Sequence, residues 1–200
     1  MSRRAHRPAP PLGILTVCTG NICRSPLAEQ LLRRSLAGDR RYELGSAGLR
    51  AVTGAPMDPL AAAQLRAHGG EPEGLLGEQL DDVRVDTADL LLTMTRGQRD
   101  HLISRYPRAA QRTFTLAEFA ALVPHAVQTG TGVAAPAGVP EARPVVEAAA
   151  RNRFAARLSD ADDVPDPIDA SPDVHAAVAA QIAGLVATVA DALRSLPHRS

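Results

Sequence analysis

This 200-residue chain contains no lysine and no tryptophan; all 22 basic residues are arginine. Lysine-dependent chemistry is therefore excluded, whether a phosphate-loop lysine or a Schiff base. Aromatic residues are scarce at 2%: Tyr42, Tyr106, Phe114, Phe119 and Phe154. The core must be built from Ala, Leu, Val and Ile, with Tyr106 and the three Phe expected inside it. Cysteine is limited to Cys18 and Cys23, which excludes a disulfide-framework domain and any four-cysteine zinc site. There is no excess of charge: 22 acidic residues balance 22 basic ones. That argues against a basic nucleic-acid binder and a polybasic membrane binder. The six histidines (6, 68, 101, 125, 175, 198) lack ligand spacing, so neither a metal nor another cofactor is expected. No run approaches about 18 consecutive apolar residues, so no membrane-crossing segment is expected.

Hydrophobic residues nevertheless make up 45% of the chain, enough for one domain with a real core. Met1 to Pro11 is rich in Arg and Pro. The apolar run that follows, from Leu12 to Val17, is too short for the core of a secretory signal. The start reads as a disordered basic tail of residues 1–11 leading into a buried strand, and the expected address is the cytoplasm, where thiols stay reduced.

Strand-like and helix-like segments then alternate. Leu12–Val17, Tyr42–Ser46, Ala88–Met94 and Arg112–Leu116 read as strands. Ser25–Leu36, Pro59–His68, Arg96–Arg105, Leu116–Val123 and Glu141–Arg157 read as helices. Residues 124–140 hold three Pro, three Gly and no charged residue, the composition of a flexible insert. Residues 12–200 are read as one domain carrying it. Asp160–Pro172 is an acidic, Pro-rich loop. The chain closes on an amphipathic helix with Val174, Val178, Ile182, Leu185, Val189, Leu193 and Leu196 on one face. The alternation predicts an α/β fold with a parallel sheet, whose ligands bind at the carboxyl ends of the strands.

The first strand ends next to Cys18-Thr19-Gly20-Asn21-Ile22-Cys23-Arg24-Ser25-Pro26, a Cys-x5-Arg loop between a buried strand and a helix. A turn of that width can curl around one tetrahedral anion. The N–H groups of residues 19–24 can point inward, and the helix N-terminus adds its positive dipole. Gly20 and Asn21 tolerate left-handed backbone. The same field favours a thiolate at Cys18, the nucleophilic form of cysteine. Arg24 offers a planar fork for two phosphoryl oxygens. Ser25 can donate its hydroxyl to the sulfur, which helps when the thiolate must leave again. The alternative is an inert buried cysteine beside an ordinary turn.

The nonapeptide resembles the active-site loop of the low-molecular-weight protein tyrosine phosphatases, Cys-x-Gly-Asn-x-Cys-Arg-Ser-Pro. Ser46-Ala47-Gly48, Ala88–Met94 and Asp166-Pro167 are similar to three further segments of that family. The resemblance implies a four-stranded parallel sheet in the order 2-1-3-4, flanked by helices. It implies a monomeric phosphomonoester hydrolase acting on phosphorylated protein, with phosphotyrosine the expected substrate. Cys18 would attack phosphorus, Arg24 and the loop residues Thr19 to Ser25 would bind the phosphoryl group, and Asp166 would serve as general acid and then general base. Asn21 would hold the loop through hydrogen bonds with Ser25 and Ser46. Pro165 and Pro167 stiffen the chain around Asp166; Asp163 and Asp169 are the neighbouring alternatives. The resemblance also suggests a Cys18–Cys23 disulfide under oxidation.

The chain departs from the family in places. Aromatic wall positions read Leu49-Arg50-Ala51-Val52 and Ile168-Asp169. A segment that often carries His and basic residues reads Leu75-Leu76-Gly77-Glu78-Gln79-Leu80, which removes one expected support of the loop. Three other readings share the loop. Arsenate reductases of this fold need two further cysteines. Protein-arginine phosphatases carry a small polar Thr where this chain has Ile22, and the bulkier apolar residue suits an aryl phosphate better. A phosphate-binding relative without turnover would have no need of the full set Cys18, Arg24, Ser25 and Asp166.

Overall fold

The computed structural model describes residues 9–130, 135, 138–156 and 159–197. Four parallel strands form one sheet in the order β2-β1-β3-β4: β1 Leu12–Cys18, β2 Tyr42–Gly48, β3 Leu90–Thr93 and β4 Thr113–Thr115. Leu12 pairs with Tyr42 and Cys18 with Gly48, so β1 and β2 end together, and Val17 lies beside Thr93. The central strand β1 thus delivers Cys18 to the carboxyl edge, between two neighbours that stop at the same level.

Alternation along the strands divides the core. Leu12, Ile14, Leu90, Leu92 and Phe114 face one layer of helices: α1 Arg24–Ser35, α5 Leu116–Gly130, α6 Arg143–Arg151 and α7 Pro172–Arg194. Helix α2, Pro59–Ala67, joins this layer through Ala61, Ala62 and Leu65. Leu15, Val17, Ala47 and Leu91 face the other side and meet Val85 of α3 (Asp82–Thr87), Leu102 of α4 (Arg96–Arg105), Tyr106 and Ala109. Strands buried on both faces explain the near-continuous apolar runs read from the sequence.

Several elements differ from expectation. Helix α3 is short and has no counterpart among the expected helices; Asp81 caps it by accepting the Arg84 N–H at 2.8 Å. Helix α5 does not stop at Val123. It runs through Pro124 to Gly130 because Leu122, Val123 and Ala126 stay buried on its inner face, and that packing outweighs the hydrogen bond a proline cannot donate. The first seven residues of the expected insert are therefore helical; residues 131–134, 136 and 137 lie outside the described residues. Helix α6 ends at Arg151, before the expected Arg157, and a short 3-10 turn follows at Arg153–Ala155. Phe154 is 98% exposed, not core. Of the expected face of α7, Val174 is exposed and Val186 takes a buried place. Helix α7 is long and apolar enough by length and composition alone to cross a bilayer. In the structure its Val178, Ile182, Val186, Val189 and Leu193 pack into the core.

Candidate active site

Cys18 is the last residue of β1 and Arg24 the first of α1, so the loop between them is held by regular structure at both ends. Its backbone carbonyls turn outward. The oxygens of Cys18, Thr19 and Gly20 accept from the N–H groups of Leu49, Arg50 and Val52, and the oxygen of Ile22 accepts from Asp58, all at 2.8–2.9 Å. Gly48 is required by this approach, since a Cβ there would lie 2.7 Å from the Thr19 oxygen.

Asn21 adopts φ 55°, the left-handed region, as its residue type suggests. Its side chain pins that conformation: Nδ2 donates to Ser25 Oγ at 2.9 Å, and Oδ1 accepts the Glu78 N–H at 2.8 Å. The Ser25 hydroxyl lies 3.0 Å from Cys18 Sγ, and the Asn21 N–H donates to the same sulfur at 3.2 Å. Ser46 was expected in this network; among the described residues its hydroxyl makes no hydrogen bond. The carbonyl of its neighbour Ala47 lies within 3.4 Å of Ser25 Oγ instead. The support expected to be lost at 75–80 is supplied by a backbone amide, that of Glu78, which needs no particular side chain.

Arg24 is buried to 3% exposure, while the Asp166 side chain remains 48% exposed. Arg24 Nη2 donates to Asp166 Oδ2 at 2.5 Å, and Nη1 to the Val164 carbonyl at 3.1 Å. A carboxylate that touches both the cationic fork and solvent can exchange protons with a leaving group and with water. The alternatives are occupied elsewhere or turned differently. Asp163 Oδ1 accepts the Arg96 N–H at the start of α4 at 2.9 Å, and Asp160 pairs with the Arg96 guanidinium. Asp169 sits in left-handed backbone at φ 61°, one residue beyond Ile168, whose N–H donates to Asp166 Oδ1 at 3.3 Å.

Cys23 is buried beside residues of α2 and α7. Burial pushes its thiol well above the ordinary range; the nearby charges of Asp58, Cys18 and Asp166 push the same way, and Arg24 opposes them. It keeps its proton at neutral pH and does not compete with Cys18 as a nucleophile. The side chains of Ile22 and Val52 both lie beside Gly20. A Cβ on Gly20 would touch both, at 3.6 and 3.7 Å, and one on Gly77 would touch Ile22 at 3.6 Å.

Sequence reasoning missed Gln98. Its Nε2 donates to Thr19 Oγ1 at 3.0 Å, while Oε1 accepts from the N–H groups of Met94 and Thr95. One buried amide thus ties the end of β3 to the phosphate loop. The signal was present as a capping box, Thr95-Arg96-Gly97-Gln98.

Residues 13–143 match the family model described as low molecular weight phosphotyrosine protein phosphatase. A probable low molecular weight protein-tyrosine-phosphatase EpsP of Ralstonia nicotianae is 42% identical over 105 residues, which is 52% of this chain and 70% of that one. A protein-arginine-phosphatase of Geobacillus stearothermophilus is 40% identical over 110 residues, 54% of this chain and 72% of that one. Among solved structures, the YwlE arginine phosphatase from Geobacillus stearothermophilus superposes with a TM-score of 0.66 at 26% identity, covering 95% of this chain and 100% of that one.

Proposed function

Since the chain belongs to the low molecular weight phosphotyrosine protein phosphatase family, and is thereby a phosphoric monoester hydrolase, we propose that it removes the phosphoryl group from phosphotyrosine in proteins, with Cys18, Arg24 and Asp166 carrying the reaction. The observation behind the residue roles is their convergence. Cys18 Sγ with the Asn21 N–H and the Ser25 hydroxyl on it, and Arg24 paired with a half-exposed Asp166, lie at the two ends of one loop at the carboxyl edge of the sheet.

Cys18 attacks phosphorus in line with the leaving oxygen. Arg24 and the amides of residues 19–24 take up the charge on the three equatorial oxygens as the transition state forms. Asp166 gives its proton to the departing phenolate, which would otherwise leave poorly. In the second step Asp166 accepts a proton from water, which attacks the cysteinyl phosphate. The sulfur leaves as a thiolate, steadied by the Ser25 hydroxyl and the Asn21 N–H at 3.0 and 3.2 Å.

Phosphotyrosine is favoured by the apolar side chains of Ile22 and Val52 beside Gly20 in the loop, which suit an aryl ring better than a small polar residue would. Phosphoarginine is the second reading. It is favoured by the scarcity of aromatic groups around the site, where Val52 and Ile168 stand in place of rings, and by the arginine-phosphatase relatives. The proposed address is the cytoplasm and the proposed state a monomer. Turnover of phosphotyrosine, phosphoserine and phosphoarginine peptides by wild type and Cys18→Ser tests the assignment. Phosphotyrosine is expected to give the highest kcat/KM, with no turnover in the variant. Full activity in Cys18→Ser would overturn the mechanism, and a preference for phosphoarginine would overturn the substrate.

A further inference from the structure

The peptide between Met94 and Thr95 lies where β3 gives way to α4, and both of its polar atoms are taken. Its N–H donates to Gln98 Oε1 at 3.2 Å, and the Met94 N–H reaches the same oxygen at 3.1 Å. Its carbonyl accepts the Val164 N–H at 2.9 Å. Val164 is fully buried and stands two residues before Asp166. Pro165, between them, has its φ locked near about −65°. The segment that bears the general acid therefore hangs from this peptide by a short, stiff connection. Asp163, one residue earlier, is tied to the same turn by accepting the Arg96 N–H at 2.9 Å. The other amide atom of Gln98, Nε2, donates to Thr19 Oγ1 at 3.0 Å, next to the nucleophile. Gln98 is itself buried, and Thr95 Oγ1 accepts its backbone N–H at 3.2 Å.

A planar amide holds its oxygen and nitrogen at a fixed separation. One side chain thus spaces the peptide that carries the acid segment against the loop that carries Cys18. We propose that Gln98 is a positioning residue that keeps Asp166 in register with Cys18. Its two ends do not matter equally. The phosphate loop is held independently by the carbonyls of Thr19, Gly20 and Ile22 and by the Asn21 side chain. Without Oε1, in contrast, the Met94 and Thr95 N–H groups lose their acceptor, and the turn must shift to find others. Val164 moves with it, and a misplacement of about 1 Å is enough to cost a reaction up to about 10²-fold. Loss of Gln98 therefore shows itself in proton delivery more than in phosphate binding.

This inference rests on the proposed roles of Cys18 and Asp166. The test compares wild type with Gln98→Met, which keeps the length of the side chain but neither polar atom, alone and combined with Asp166→Asn. Two esters are used: phenyl phosphate, whose leaving group needs a proton, and p-nitrophenyl phosphate, whose leaving group departs readily without one. In Gln98→Met, kcat/KM is expected to fall about tenfold on phenyl phosphate, part of the roughly 10²- to 10⁴-fold that a general acid supplies. On p-nitrophenyl phosphate it is expected to stay within about threefold of wild type, and Ki for inorganic phosphate within about twofold. With Asp166→Asn already in place, Gln98→Met is expected to cost less than about twofold on phenyl phosphate, since no acid is left to misplace. Equal losses on the two esters, or the full tenfold loss repeated on the Asp166→Asn background, would mark a merely structural role and overturn the proposal. Should Gln98→Met fail to fold, Gln98→Asn, one methylene too short to span both partners, takes its place. The same discrimination between the esters is expected there, and its absence overturns the proposal equally. A wild type that hydrolyses neither ester would instead sink the proposed function itself.

Discussion

Replacing Asn21 tests how the phosphate loop keeps its shape. Three contributions act at that residue. Its Oδ1 satisfies the part-buried N–H of Glu78, its Nδ2 bonds Ser25 Oγ, and its backbone sits at φ 55°. In Asn21→Ala the Glu78 N–H loses its partner, a cost of about 1–3 kcal/mol, and the lost bond to Ser25 adds about 1 kcal/mol. Holding alanine in left-handed backbone adds roughly 1–2 kcal/mol. The total is roughly 3–6 kcal/mol. In a chain of this size that lowers the melting temperature by ~6–24 °C. Asn21→Gly escapes the backbone part and is expected to be about 1 kcal/mol more stable than Asn21→Ala. Both variants free the Ser25 hydroxyl from its partner beside Cys18, so kcat/KM on an aryl phosphate is expected to fall at least tenfold in each. Urea unfolding and steady-state kinetics on the three proteins measure both effects. Equal stability of the Ala and Gly variants, with kcat/KM within twofold of wild type, would refute the reasoning.

Asp166→Asn is expected to lower kcat about 10²- to 10³-fold on phosphotyrosine peptides, while Asp163→Ala, which removes the acceptor at the start of α4, lowers stability by about 0.5–2 kcal/mol with a smaller kinetic effect; the reverse ranking in kcat would reassign the acid. The alkaline limb of stability follows from Cys23, whose thiol ionises near 9.0 when unfolded but is held protonated in the fold. Above that pH the unfolded chain binds fewer protons, so this contribution is full below about pH 8.5 and declines by up to ~1.4 kcal/mol per pH unit above it. Urea unfolding from pH 8 to pH 10 should therefore show a flatter decline in Cys23→Ser, and parallel curves would contradict this. Tyr42, raised from 10.0 by burial, with its hydroxyl bonded to the Leu193 carbonyl, should add a second decline above about pH 10 that Tyr42→Phe removes. Peroxide should convert Cys18 to a sulfenic acid that condenses with the Cys23 thiol to a disulfide and water, and dithiothreitol should restore wild type better than Cys23→Ser. Equal recovery of the two proteins would leave Cys23 with a packing role alone.

The parts of the site that lie within one stretch of chain are legible in the amino-acid sequence. Cys18 to Ser25 spans a strand end, a turn and a helix start, and the sequence pattern of each is local. The left-handed Asn21 and the strand-to-helix setting of the loop follow from residue types. The parallel sheet follows from alternation, although its order comes from resemblance and not from spacing. Exposed Phe154, the passage of α5 through Pro124 and the inner face of α7 are not legible in this way, because each is decided by which neighbours cover it.

The sequence by itself determined which groups are available here: a cysteine at a strand end, a short loop leading into a helix, one arginine at that helix start and a choice among several later carboxylates. Tertiary structure alone decided how those groups are held. Asp166 is distinguished from Asp163 and Asp169 only when a segment about 140 residues away reaches Arg24 and Val164 accepts from the same guanidinium. The Glu78 amide takes up support expected of side chains because β2 brings that loop alongside, Gly48 N–H donating to the Glu78 oxygen. Gln98 joins the site from α4 for the same reason. A buried polar group must find a partner wherever the fold places one, and no pattern local to that residue records who that partner will be.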